Sequence, residues 1–218
     1  RQVGMSGSSA IVISTIRSLY SYYGIKTGFP LYIARMAMES ERLLGIACGP
    51  QDRIVQSLGV PCFMDFRERN WNAYELDVQG FIDRSDDMEI FVSYPLFYQK
   101  ITALQSEIQR TIEPPESIAK SAIYLARCIK DRCYSDAREC ISESFSRRSE
   151  WKKPDRQTLL LSDSAISHGL NVNQCGSGGA ISGIGYSKDV RFFKEATISF
   201  AKCISIYKKD EANSRINR

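Results

Sequence analysis

Apolar side chains recur at the three- and four-residue spacing of amphipathic helices over much of the chain. In the first part this spacing predicts helices over residues 8–23, 31–44 and 53–58, followed by a strand over residues 60–66. The inward face of the second helix is predicted to consist of Ala34, Ala37, Met38 and Glu41. A carboxylate on such a face is costly to bury unless it has a partner or a chemical role. Glu41 is therefore a candidate functional residue.

The pattern changes over residues 67–87, which are polar and irregular and are expected to connect two domains. A strand over residues 88–94 opens the second part, and apolar stripes then predict helices around residues 101–112, 118–129 and 137–145. Pro154 fits the first turn of one more helix. The fold is expected to close with a strand over 181–186, a helix over 190–202 and a strand over 203–207, and the polar tail is expected to fray.

Composition narrows the class of protein. The chain has 218 residues, of which 43% are apolar and 25% charged, as in a globular protein with a substantial core. The net charge of +4 is small and the basic residues are dispersed, so nucleic acid is not an expected partner. Neither a signal peptide nor a run of about 20 apolar residues is visible, so we expect a cytoplasmic location and no membrane partner. Cys128, Cys133 and Cys140 are interpreted as reduced core thiols.

A loop of glycines and serines precedes the first helix, at residues 4–9. At a helix N-terminus the first N–H groups lack partners and carry partial positive charge. Glycines let a ligand approach the backbone, and serines can cap the helix and offer hydroxyls. The arrangement suits a phosphate, although no Gly-Lys-Ser/Thr of a Walker loop follows. A plain Gly/Ser cap on a buried helix is the alternative.

Gly4-Met5-Ser6-Gly7-Ser8-Ser9-Ala10 resembles the second motif of the GHMP kinases, a superfamily named after galactokinase, homoserine kinase, mevalonate kinase and phosphomevalonate kinase. Within that superfamily, residues 1–12 most resemble the plant-type glucuronokinases. In these enzymes the loop holds the ATP phosphates and a motif serine helps to bind magnesium. The resemblance thus implies a magnesium ligand at Ser9 and an ATP-phosphate site formed by Gly4, Ser6, Gly7, Ser8, Ser9 and Ala10.

Residues 39–53 resemble the GHMP kinase helix and loop in which a glutamate stands eleven positions before an aspartate. The resemblance assigns Glu41 to magnesium and Asp52 to the role of catalytic base. The chemistry agrees, because Mg²⁺ prefers carboxylate and hydroxyl oxygens and a second carboxylate can accept the acceptor's proton. A surface salt bridge of either carboxylate with Arg42 or Arg53 is the alternative.

A second glycine loop resembles the third motif of the superfamily, which supports the phosphate loop and the substrate site. It comprises Gly176, Ser177, Gly178, Gly179 and Ala180. A β-bulge or a tight turn is the alternative for these residues. Three motifs in the family's order and spacing are difficult to explain by turns alone.

Other positions bear on specificity. Glucuronokinases have Lys-Phe-Thr before the third motif, where this chain has residues 173–175, and a polar glycine-containing segment where this chain has the largely apolar residues 94–98. Arg147 and Arg148 match an arginine cluster that could contact an anionic sugar or phosphate, and a solvated helix end is the alternative. His168, which precedes Gly169, is expected to cap a helix C-terminus.

The resemblance implies an α/β (α+β) two-domain GHMP kinase fold. Residues 1–80 would be the C-terminal part of an incomplete, ribosomal-protein-S5-like ATP-binding domain, residues 86–210 a ferredoxin-like domain, and residues 211–218 a polar tail. The implied function is that of an ATP- and Mg²⁺-dependent sugar kinase acting on the anomeric hydroxyl of a sugar acid, with the oligomeric state left open. GHMP kinases carry a further segment before this loop, so we expect a fragment that alone turns over ATP poorly. A non-catalytic, ligand-sensing or protein-binding relative is the alternative.

Overall fold

A computed structural model describes residues 5–26, 29–46, 48–67, 71–97, 116–176 and 178–209. The predicted helix over residues 101–112 and the motif residues Gly4 and Ser177 lie outside these ranges. The chain divides into two compact units, one over Ser6–Leu76 and one that begins at Asp77. Within the described ranges, none of the helices is both long and apolar enough to cross a membrane.

The first unit consists of three helices followed by a hairpin. The helices are α1 (Gly7–Tyr22), α2 (Pro30–Leu43) and α3 (Gln51–Leu58), each close to its predicted bounds. Strands β1 (Cys62–Asp65) and β2 (Asn72–Glu75) pair in antiparallel fashion, with Phe63 opposite Tyr74. The core lies between α1 and α2 and contains Ile13, Ile16, Ile33 and Ala37.

The second unit is built on a four-stranded antiparallel sheet. Its strands, in the spatial order β4-β5-β3-β6, are β3 (Met88–Pro95), β4 (Asn171–Gln174), β5 (Ile181–Tyr186) and β6 (Ala201–Lys208). Five described helices accompany the sheet, namely α4 (Val78–Asp83), α5 (Glu116–Asp131), α6 (Tyr134–Trp151), α7 (Arg156–Ser167) and α8 (Ser187–Thr197).

Both faces of the central strand β3 are buried because helices pack on each side of the sheet, and the buried residues include the polar Glu89 and Ser93. Phe91 joins a cluster with Leu161 of α7 and Phe193 of α8. Met88, whose side chain points to the opposite face, joins a cluster with residues of α4, α5 and α6. A strand covered on both faces reads as an almost continuous apolar run, which is why β3 was predictable from the sequence.

Several predicted details are wrong. The segment predicted to be irregular, residues 67–87, contains β2 and α4. Helix α4 is too short for a clear periodic signal, but its Asp77 cap accepts a hydrogen bond from Gly80 N and its Phe81 is buried. Strand β4 was not predicted at all, because it has only four residues.

Burial differs from prediction in two places, and the start of one helix differs as well. Helix α5 buries Ser121 and Cys128 and leaves Ala122 exposed, whereas Leu125 and Ile129 of its apolar stripe pack against the cluster that contains Met88. Cys133 is exposed at the N-cap of α6 and is not a core thiol, whereas Cys128 and Cys140 are buried as expected. Helix α7 starts at Arg156 after an Asp155 cap, so Pro154 precedes the helix.

Candidate functional site

The glycine–serine loop leads into α1 as predicted, but its serines act differently from helix caps. Ser6 occupies the N-cap position in a left-handed conformation (φ 52°), and its side chain makes no capping hydrogen bond. The expectation that a serine caps this helix is therefore wrong. Gly7 and Ser8 are exposed at the first turn, and α1 has no acidic residue there. This uncapped N-terminus is suited to an anion.

Two side chains hold the Ser6 carbonyl in place. Ser9 Oγ donates to Ser6 O at 2.9 Å, and Gln56 Nε2 donates to the same oxygen at 3.1 Å. Ser9 is completely buried in the first turn of α1. Sequence reasoning did not identify Gln56, although it stands four positions after Asp52 and so shares a side of α3 with it. Helix α3 thereby supports the loop.

Glu41 lies in the last turn of α2 and is only 1% exposed, so the predicted burial of a carboxylate on this face is confirmed. Arg53 Nε and Nη2 approach Glu41 Oε2 at 2.6 and 2.5 Å, respectively. Glu41 Oε1 is buried and has no hydrogen-bond partner among the residues described. A buried carboxylate oxygen that lacks a partner is costly, so its position favours a ligand such as a cation.

The salt-bridge alternative is present in a different form from the one expected. Arg53 is buried, with 7% of its side chain exposed, so its pair with Glu41 is internal and not at the surface. Arg42 instead pairs with the exposed Glu39.

Asp52 lies in the first turn of α3, where a negative charge interacts favourably with the helix dipole. Its side chain is 46% exposed, and its Oδ2 lies 3.7 Å from Arg53 Nη1. That same nitrogen donates to Gly49 O at 3.1 Å. Asp52 is thus accessible to a substrate and stands beside a fixed guanidinium.

Two groups in this unit offer oxygens of the kind that a magnesium ion takes. Glu41 Oε1 is buried without a hydrogen-bond partner among the described residues, and the Ser9 hydroxyl retains lone pairs while it donates a hydrogen bond to Ser6 O. No group of three or more His, Cys, Asp or Glu residues suited to a metal occurs in the described ranges. Mg²⁺ commonly uses one or two carboxylates and takes its other ligands from water and substrate phosphates, so this set is sufficient.

The second glycine loop, in the other unit, is fixed by the start of α7. Gly179 N donates to Thr158 Oγ1 at 2.7 Å and to Asp155 Oδ2 at 3.1 Å. Asp155 also caps α7 by accepting from the N–H groups of Gln157 and Thr158. Sequence reasoning missed Asp155 and Thr158, although an aspartate three positions before a threonine at a helix start is a recognisable capping signal.

Arg148 supports the same loop from α6. Its Nη1 and Nη2 donate to Gln174 O at 3.2 Å and Gly176 O at 2.5 Å. Burial lowers the pKa of the Arg148 guanidinium and raises the pKa of the neighbouring Cys175 thiol. The solvated helix end considered for Arg148 is therefore wrong. His168 is the C-cap residue of α7, as predicted, with Nδ1 2.7 Å from Ser164 O.

Comparison with known sequences identifies proteins that are similar to this chain. Residues 1–60 match the family described as GHMP kinases N terminal domain. The chain is 23% identical over 198 residues to probable glucuronokinase 2 of Arabidopsis thaliana, a match that covers 83% of this chain and 53% of the relative. Glucuronokinase 1 of the same plant is 35% identical over 71 residues, covering 32% of this chain and 20% of the relative. The chain thus spans about half the length of the first of these relatives.

Solved structures share the fold. Phosphomevalonate kinase of Streptococcus pneumoniae, in complex with phosphomevalonate and AMPPNP, superposes with a TM-score of 0.74 at 8% identity, covering 96% of this chain and 69% of that one. Galactokinase of Lactococcus lactis, complexed with galactose, gives a TM-score of 0.69 at 10% identity, covering 96% and 66%. Mevalonate kinase of Methanococcus jannaschii gives 0.66 at 12% identity, covering 92% and 62%.

These matches confirm the predicted α+β fold class. Residues 1–60 are thus similar to the N-terminal domain of the GHMP kinases, and the chain shares its fold with solved kinases of that superfamily.

Proposed function

We propose that this protein is an ATP-dependent kinase that transfers a phosphoryl group to a hydroxyl of a small sugar. The observation that carries the proposal is the buried Glu41, whose Oε1 lacks a partner among the described residues, in the same compact unit as the Ser9 loop and Asp52. The non-catalytic alternative is not favoured, because the relatives and the solved structures that match are kinases.

The first unit would hold the nucleotide phosphates at the N-terminus of α1. The N–H groups of Gly7 and Ser8 face no capping side chain from Ser6, so they can donate to phosphate oxygens. A Mg²⁺ ion held in this unit would supply positive charge that neutralises the nucleotide phosphates. Glu41 Oε1 and the Ser9 hydroxyl would be its protein ligands.

Asp52 would act on the acceptor. Its half-exposed carboxylate can receive a hydrogen bond from an incoming hydroxyl and accept the proton as the phosphoryl group is transferred. The adjacent Arg53 Nη1 limits the directions in which this carboxylate can turn. Positioning of this kind supplies much of the catalysis in phosphoryl transfer.

The acceptor that we propose is the anomeric hydroxyl of a sugar acid, as in a glucuronokinase. The similarity to the two Arabidopsis glucuronokinases supports this choice over other GHMP substrates. We further propose that residues 1–80 form part of the ATP-binding domain and residues 86–210 the second domain of such a kinase, with Gly176–Gly179 supporting the substrate site.

Replacement of Asp52 by Asn tests the mechanism. Asn keeps the size and most hydrogen bonds of Asp but cannot accept the proton, so we expect the single-turnover rate with Mg²⁺-ATP to fall about 10²–10⁴-fold. Nucleotide affinity should be nearly unchanged, because Asp52 contacts the acceptor and not the nucleotide. Both quantities are measured on one preparation that also supplies the segment that GHMP kinases carry before this loop, against a panel of sugars and sugar acids.

A structural role for Asp52 predicts a different result. Loss of a partly exposed ion pair costs about 0–1 kcal/mol of stability and leaves the rate of the folded fraction intact. Glu39→Gln, which removes an exposed charge paired with Arg42 on α2, is the matched control and should retain the wild-type rate. Retained turnover in Asp52→Asn with a lowered melting temperature would refute the proposed role of Asp52. Absence of turnover with every sugar, in a preparation that also supplies the segment that GHMP kinases carry before this loop, would refute the proposed function.

A further inference from the structure

Arg53 touches both carboxylates to which the proposed function assigns chemistry. Two of its nitrogens contact Glu41 Oε2 at 2.5 and 2.6 Å, and the third lies 3.7 Å from Asp52 Oδ2. The side chain is further fixed by its hydrogen bond to Gly49 O. A guanidinium held at this many points keeps a single orientation, in which it occupies one oxygen of Glu41 and leaves the other open.

The buried pair has an electrostatic consequence for cation binding. Glu41 and Arg53 are both shielded from solvent, so their charges compensate each other at close range with little screening. A second cation at Glu41 Oε1 would be attracted by the carboxylate and repelled by the guanidinium on its far side. The net attraction for a free divalent ion is therefore small, although the open oxygen is a suitable ligand.

Among the described residues, no metal-binding group of acidic side chains replaces the missing attraction. The described parts of the chain contain no cluster of three or more His, Cys, Asp or Glu residues arranged to hold a metal. Ser9 contributes a neutral hydroxyl, and Asp52 is itself beside Arg53. Negative charge sufficient to hold a divalent ion has to come with the ligand, and nucleotide phosphates carry it.

We propose that Arg53 makes metal binding at Glu41 conditional on nucleotide. It is a positioning residue that neutralises Glu41 and presents Oε1, so that the divalent ion is held only when phosphates share it. The inference rests on the proposed function for the identity of the phosphate-bearing ligand, but it concerns binding and not turnover.

Titration of the full chain with MnCl₂, with free Mn²⁺ followed by electron paramagnetic resonance, tests the proposal. Without nucleotide, wild-type protein is expected to show no saturable site, whereas with saturating ADP it should bind Mn²⁺ at least tenfold more tightly than ADP alone does. Glu41→Gln should abolish that gain. Arg53→Met removes the compensating charge and is expected to acquire a Mn²⁺ site without ADP, which Glu41→Gln in the same chain removes again.

Matched variants separate this role from a structural one. Arg42→Met releases Glu39, a carboxylate on the same helix in an exposed pair, and should acquire no Mn²⁺ site. Because Arg53→Met leaves a buried carboxylate unpaired and is destabilised, Arg53→Lys serves as a second variant. Lysine retains the positive charge, so this variant should still bind Mn²⁺ only with ADP.

The outcomes distinguish this inference from the proposed function. Saturable Mn²⁺ binding to wild-type protein without ADP, if Glu41→Gln removes it, overturns the role of Arg53. Failure to bind Mn²⁺ even with ADP, or a folded Arg53→Met that acquires no site, overturns it as well. ADP-dependent Mn²⁺ binding would support the role of Arg53 even if a preparation that also supplies the preceding GHMP kinase segment showed no sugar kinase turnover. That second result would contradict only the proposed kinase activity.

Discussion

Gly178→Ala is expected to destabilise the second unit because the glycine loop leaves no room for a methyl group. Gly178 has φ 110°, a conformation that side chains rarely adopt, and this strain costs about 1–3 kcal/mol. A Cβ atom would lie 2.3 Å from Asp155 Oδ2 and 3.2 Å from Thr158 Oγ1, so the loop and the start of α7 must separate. The hydrogen bonds from Gly179 N to these two oxygens are then weakened, at about 1 kcal/mol or more. The total loss in unfolding free energy is about 2–5 kcal/mol.

Gly169→Ala is the matched control in the same unit. Gly169 has φ 77°, but the nearest atom to an added Cβ is Asp189 Oδ2 at 4.0 Å, so alanine there meets strain without crowding. Its cost should be about 1–2 kcal/mol. Native-state hydrogen exchange of the β5 amides, which belong to this unit, measures the free energy of unfolding of both variants. If Gly178→Ala lowers the free energy of unfolding by no more than Gly169→Ala does, crowding by the added methyl group is refuted.

Two further predictions concern a positioning side chain and the thiols. Gln56→Ala removes one of the hydrogen-bond donors to Ser6 O. The ADP affinity measured by calorimetry should therefore fall roughly two- to tenfold, which corresponds to the free energy of one neutral hydrogen bond. An unchanged affinity would contradict a role for α3 in supporting the loop. Burial raises the pKa of Cys203 to about 12, so only about one thiol in ten thousand is thiolate at pH 8, and iodoacetamide should label the exposed Cys133 first. The rate of Cys203 labelling, monitored by mass spectrometry, should still increase as the pH rises above 10. A plateau in this rate below pH 10 would show that the pKa of Cys203 is not raised this far.

Local signals in the sequence determined the long elements of this protein. Helices α1 and α2 and strands β3 and β5 follow from periodicity, because each buries one stripe or both faces along its whole length. Periodicity did not predict the short elements β2, α4 and β4, because four to six residues contain too few repeats to show a period. Their form depends on what packs against them, as β2 depends on its pairing with β1.

The features of the candidate site likewise fall into those that the sequence identified and those that only the structure revealed. The apolar face of α2 first selected Glu41, and the family's motifs, whose residue types stand at fixed separations, then selected Glu41, Asp52 and the two glycine loops. The tertiary structure decided that Arg53, and not Arg42, pairs with Glu41 and that this pair is buried, and it alone placed Gln56 against Ser6. These contacts join residues 12 and 50 positions apart in the chain. A hydrogen bond over such a separation depends on how helices pack, and local sequence contains no record of that packing.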